Sequence, residues 1–144
     1  LLGLSDAGAH TSQLCDACFP THLLGYWVRD QQAISMEEAI RKLTSLPADV
    51  FGLAERGRLT EGSPADVVLF NPATVSAGKL RRARDLPAGE ERLVVDAIGI
   101  EAVIVNGVML RDASGDVLES NGPLPGALLR GGAAPVGDSK TRAA

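Results

Sequence analysis

The chain has 144 residues, 45% of them hydrophobic, and a net charge of −4. That size suits one ordinary domain or two small ones, with a core able to bury roughly 70% of the unfolded surface. The mild acidity argues against a nucleic-acid or anionic-membrane surface, and no apolar run reaches the ~18 residues of a membrane helix.

Leu1, Leu2, Gly3 and Leu4 read as a short buried strand that stops at Ser5 and Asp6. The run is too short, and lacks the basic start, for a secretion signal, so a cytoplasmic address is the default expectation. Residues 6–20 carry Gly8, His10, Cys15, Cys18 and Pro20 and read as a functional or connecting loop. In "THLLGYWVRD", Leu23, Leu24, Trp27 and Val28 mark one face of a helix.

"SMEEAIRKLTS" predicts a second helix. Ser35 with Glu38 three residues on is a capping box, and Met36, Ala39, Ile40 and Leu43 form an apolar stripe. Glu37 with Arg41 and Glu38 with Lys42 are favourable i,i+4 pairs. Pro47 ends that helix and opens a short one through Leu53.

Beyond Gly57 the period changes to that of strands. "ADVVLFNP" reads as a buried strand closed by Asn71 and Pro72. "KLRRAR", from Lys79 to Arg84, is the densest basic patch and reads as a solvated loop or edge. "RLVV", from Arg92, is a further strand candidate. "EAVIVNGVML" is a β-hairpin around Asn106 and Gly107, a pair that accepts positive φ at both turn positions. "DASGDV" reads as a turn, and the stretch from Gly131 as a disordered tail. In isolation the class is α+β.

The residues that could carry chemistry cluster early. A carboxylate at the C-terminal end of a strand, followed by a loop and a helix, is how (β/α)8 barrels present catalytic groups, so Asp6 is a catalytic candidate; the plainer reading is that it caps the following turn. His10 in the same loop reads equally as a contact to the substrate or the metal site, or as a surface histidine. Cys15, Cys18 and His22 have the spacing of three zinc ligands, and the cysteines that of a redox pair, but a single Cys-x-x-Cys is a weak signal and packed, inert thiols are the plainer reading. Arg29 is read as a helix-end arginine favourable to the helix dipole, with carboxylate binding as the alternative. Asp66 is read as holding a turn through backbone hydrogen bonds.

Five stretches, "GLSDAGAH", "FPTHLLGYWVR", "SMEEAIRKLTSLPADVFGLAERGRLTEGSPADVVLFNP", "VIVNGV" and "LPGALLR", together resemble the C-terminal end of the D-aminoacylases. These are N-acyl-D-amino-acid deacylases of the amidohydrolase superfamily. The resemblance runs over roughly residues 2–130. The Ser5-Asp6 pair, Gly62-x-x-Ala65-Asp66 and the Asn106-Gly107 hairpin are its general parts. Phe19-Pro20, Leu24-Gly25, Arg29, Thr44-Ser45-x-Pro47 and Phe51-Gly52-Leu53 point to the deacylase branch.

The resemblance implies an α/β fold: the end of a metal-dependent (β/α)8 barrel over residues 1–57, part of a small β-sandwich over 58–130, and a tail over 131–144. It implies that the chain is a piece of a longer zinc enzyme that hydrolyses the amide of small-molecule N-acyl-D-amino acids, oligomeric or not. Asp6 would then take a proton from the metal-bound water, pass it to the leaving amine and lie in contact with the metal. His10 would lie on the substrate side. One departure bears on the loop: family members often have Gly directly after the aspartate, where this chain has Ala7. With two histidines and no His-x-His, this segment is expected to be inactive alone and not to bind zinc tightly. A cyclic-amide hydrolase of the hydantoinase or dihydroorotase kind, and a non-catalytic β-rich interaction module, are the alternatives.

Overall fold

The computed structural model describes residues 2–3, 10–117 and 122–129. Leu2 and Gly3 are not in a strand. The remainder of the expected first strand, Asp6 and the tail from Gly131 lie outside the described residues.

The helical part begins with α1 (Phe19–His22), which runs without a break into a π-helical segment, Leu23–Asp30. Pro20 sits in the first turn of α1, where a missing N–H costs nothing. At the far end the Gln31 N–H donates five residues back to the Tyr26 carbonyl. The expected face is therefore altered. A turn with five-residue bonds brings positions five apart together, and Leu23 and Val28 both pack on the core beside buried Leu24. Trp27 is instead 46% exposed.

The helix α2 (Met36–Leu43) starts as its sequence predicts: the Glu38 N–H donates to Ser35 Oγ at 3.2 Å. The Glu38 carboxylate does not complete the capping box. It takes a fork from Arg41 (2.6 and 2.9 Å) and lies 3.1 Å from Lys42, so Arg41 pairs with Glu38 rather than with Glu37. Thr44 breaks the helix with φ −127° and ψ −87°, its hydroxyl donating to the Ile40 carbonyl. Pro47 is thus not the terminator; it lies in the first turn of α3 (Ser45–Phe51). Gly52, at φ +66°, closes α3 in the left-handed conformation.

Among the described residues the β part holds eight short strands: β1 (Val67–Phe70), β2 (Ser76–Ala77), β3 (Arg81–Ala83), β4 (Arg92–Val94), β5 (Ala97–Ile98), β6 (Ile100–Val105), β7 (Val108–Asp112) and β8 (Gly115–Asp116). They form an antiparallel sheet in the order β1-β6-β7-β8 and two separate pairs, β2-β5 and β3-β4. The β6–β7 turn has Asn106 at φ +48° and Gly107 at φ +81°, the conformation that this dipeptide tolerates. Asn71 closes β1: its N–H donates to the Gly99 carbonyl, and its side chain accepts from Ala73 N–H. The basic stretch from Lys79 to Arg84 contains β3.

One core joins the two parts. Leu24, Ala39 and Val75 are its buried centre, and Val28, Ile34, Met36, Ile40, Leu43, Phe70 and Ile100 pack around it. The α2 stripe, the π-helical segment and the approach to β2 therefore share one apolar interior. No helix among the described residues is long and apolar enough to cross a membrane.

Candidate functional site

Gly25 and Arg29, four residues apart on the π-helical segment, fasten it to the residues before β2. A Cβ on Gly25 would stand 2.5 Å from the Val75 carbonyl oxygen, so only glycine lets the two backbones approach this closely. Arg29 Nη1 donates to that same oxygen at 2.7 Å and to the Ala73 carbonyl at 3.4 Å. Its Nε donates to Asp30 at 2.8 Å. That bond holds the Asp30 carboxyl below its ordinary range and raises the guanidinium above its own. Arg29 is therefore no simple helix-end charge. Its reach to another element could not be seen in a one-helix reading, and Gly25 was legible only as part of a motif.

Asp66 does bond to backbone, but across a long separation. Its Oδ1 accepts the Asn106 N–H at 2.7 Å, while Oδ2 lies 3.0 Å from Arg56 Nε. The Gly107 N–H donates to the neighbouring Ala65 carbonyl at 3.0 Å.

The early loop is described from His10 onward. His10 is exposed and opens a closed turn, its carbonyl accepting the N–H groups of Gln13 and Leu14, both at 2.8 Å. The turn rests on the β3–β4 pair: the Leu93 N–H donates to the Thr11 carbonyl at 2.7 Å, and Arg82 Nη1 to the Ser12 carbonyl at 3.3 Å. Cys15 and Cys18 are free thiols, partly exposed. The Cys18 carbonyl takes the His22 N–H and the Thr21 hydroxyl. His22 stacks on Tyr26, ring centroids 5.1 Å apart.

Among the described residues no three His, Cys, Asp or Glu side chains come together as a metal site, so Cys15, Cys18 and His22 do not form one. Asp6, named as catalytic and as a metal contact, lies outside the described residues. The described residues alone therefore do not supply a zinc-binding set.

A family model described as "Amidohydrolase family" matches residues 2–111. The chain is 45% identical over 87 residues to the N-acyl-D-glutamate deacylase of Alcaligenes xylosoxydans xylosoxydans, which covers 60% of this chain and 16% of that protein. It is 42% identical over 89 residues to the D-aminoacylase of the same organism, covering 62% and 16%. Among solved structures, the N-acyl-D-glutamate deacylase of Bordetella bronchiseptica, complexed with zinc and a phosphonate inhibitor, superposes with a TM-score of 0.50 at 40% identity over 62% of this chain and 17% of that one. A D-aminoacylase variant in complex with copper chloride gives 0.56 at 33% identity over 77% and 21%. The chain spans about a sixth of the length of the curated relatives it matches. From the match over residues 2–111 and the shared sequence of these deacylases, the chain belongs to the amidohydrolase family.

Proposed function

We propose that this chain forms the C-terminal segment of an N-acyl-D-amino-acid deacylase. The observation that carries the reading is its 41–45% identity to three deacylases, for N-acyl-D-glutamate, for N-acyl-D-aspartate and of the D-aminoacylase type. In this reading residues 1–57 end a (β/α)8 barrel, residues 58–130 belong to a small β-sandwich, and the enzyme works in the cytoplasm.

Hydrolysis of an amide needs a group that takes a proton from the attacking water and returns one to the leaving amine, and a single carboxylate serves both steps. Asp6 is the residue assigned that role, and His10, exposed on the loop that follows, is assigned to the substrate side. Zinc is the metal bound in the Bordetella bronchiseptica neighbour. It is proposed for the complete enzyme, held by residues beyond the described ones. The loop after Asp6 is bonded to the β3–β4 pair through Thr11, and the helix beyond it to Val75 through Arg29.

The test is expression of the complete coding sequence and assay of free amine released from N-acyl-D-glutamate, N-acyl-D-aspartate, neutral N-acyl-D-amino acids and their L-enantiomers. Hydrolysis confined to the D series is expected. Turnover of cyclic amides in place of these substrates would overturn the reading.

A further inference from the structure

The β3–β4 pair forms a two-stranded arm hydrogen-bonded to neither of the other strand groups, and three exposed ion pairs lie along it. Arg92 makes a two-point fork with Asp85, both bonds 2.8 Å, beside the turn that joins the strands. Arg82 Nη1 donates to Glu91 at 2.8 Å, and Arg81 forks onto Asp96 at 3.2 and 3.1 Å. The arm then spends two further donors on one target. The loop's turn consumes its own His10 carbonyl, accepting Gln13 and Leu14, and leaves the carbonyls of Thr11 and Ser12 facing away. Leu93 N–H takes the first and Arg82 the second, across 70 residues of sequence in the second case.

We infer that the β3–β4 arm positions the His10 turn, with Arg82 as a positioning residue that fixes the turn through the Ser12 carbonyl while anchored itself by Glu91. The inference rests on the deacylase reading only in placing His10 on the substrate side. A free turn of five residues samples many conformations, and each backbone bond to a rigid neighbour removes some of them before substrate arrives. Arg82 is more than half exposed, so its loss removes the tether without opening the core.

Amide hydrogen exchange on the 144-residue chain tests the tether. Arg82→Met should speed exchange at Gln13, Leu14 and Leu93 by roughly fivefold to tenfold, the scale of one hydrogen bond. Arg82→Lys, which keeps a charged donor, should restore most of the protection. Exchange across the β6–β7 hairpin should be unchanged in both, which separates a tether from general destabilisation. Unchanged exchange at Gln13 and Leu14 in Arg82→Met, or equal acceleration in the hairpin, would overturn the inference. In the complete deacylase, Arg82→Met should raise KM severalfold with kcat held, and Arg82→Lys should recover it. A fall in kcat at constant KM would overturn the substrate-side placement. Absence of deacylase activity in the wild type would defeat the functional reading while leaving the exchange result to decide the tether.

Discussion

Asp66 Oδ1 accepts the Asn106 N–H at 2.7 Å, so the residue that leads into β1 holds the turn of a hairpin 40 residues later. The same carboxylate faces Arg56 at 3.0 Å, and Ala65 beside it accepts from Gly107. One short loop thus sets where the β6–β7 turn sits relative to β1.

Asp66→Ala removes both partners and should cost about 1–2 kcal/mol, the low end for a bond to a charged acceptor because the carboxylate is partly exposed. Asp66→Asn keeps an acceptor for Asn106 and loses mainly the partly exposed pair with Arg56, so its loss should stay below about 1 kcal/mol. Urea unfolding of the two variants measures the difference. Equal losses would mean that the ion pair, and not the turn contact, carries the stability.

Gly25→Ala tests the joint between helix and strand. In an ordinary helix the change stabilises by about 1 kcal/mol. Here the new Cβ meets the Val75 carbonyl at 2.5 Å, and that carbonyl is already fixed by Arg29. Overpacking of this kind costs roughly 1–3 kcal/mol, so the net effect should be destabilising. A lower urea midpoint with an unchanged slope is the expected result; a raised midpoint would show that the two backbones separate freely.

Glu38 gives a pH dependence whose sign is fixed. Hydrogen bonds from Arg41, and then from Lys42, lower its carboxyl from 4.5 to about 2. A carboxyl depressed in the folded state adds stability above its unfolded value, and that contribution is lost as pH falls through the folded one. The advantage of wild type over Glu38→Gln should therefore be full above about pH 5 and shrink toward about pH 2. Thermal midpoints of both proteins across that range measure it. The pair is solvent-exposed, so the effect should also weaken in high salt.

Much of this fold was legible where one local rule suffices. Ser35 caps α2 because its oxygen and the Glu38 amide are three residues apart in any helix start, and Asn106-Gly107 makes its turn because both residues accept positive φ. Misreadings came where two local arrangements competed or where a distant partner decided the outcome. Glu37 lost Arg41 to Glu38, which lies at an equally favourable spacing. Trp27 left the core face because bonds of five residues replaced those of four. Strands β2 and β5, two residues each, carry no alternation to detect. Within the site, Arg29 was visible as a residue but not as a donor to Val75, since that bond spans 46 positions. The contact between Arg82 and Ser12 had no sequence signal at all.

Cys15, Cys18 and His22 should not act as a zinc site. His22 is engaged with Tyr26, and the three side chains do not converge. Metal analysis of the purified chain after exposure to zinc and removal of the excess should find no equivalent that depends on them. One equivalent that disappears in the Cys15→Ser, Cys18→Ser double variant would overturn this.

Asp6 in the complete enzyme is the most direct test of the proposed chemistry. Asp6→Asn keeps size and polarity but removes the base. General acid–base groups contribute about 10²–10⁴-fold, roughly 3–5 kcal/mol of barrier. The loss should fall on kcat, because the proton moves in the chemical step and not in substrate binding. The measurements are kcat on an N-acyl-D-amino acid, metal content per chain and thermal midpoint. Activity retained within about tenfold would reject Asp6 as the proton carrier. Loss of activity together with loss of metal would make it chiefly a ligand, since a base acts on the attacking water whereas a ligand holds the ion. Loss of kcat with metal and midpoint intact is the expected result, and it would assign proton transfer to the carboxylate itself.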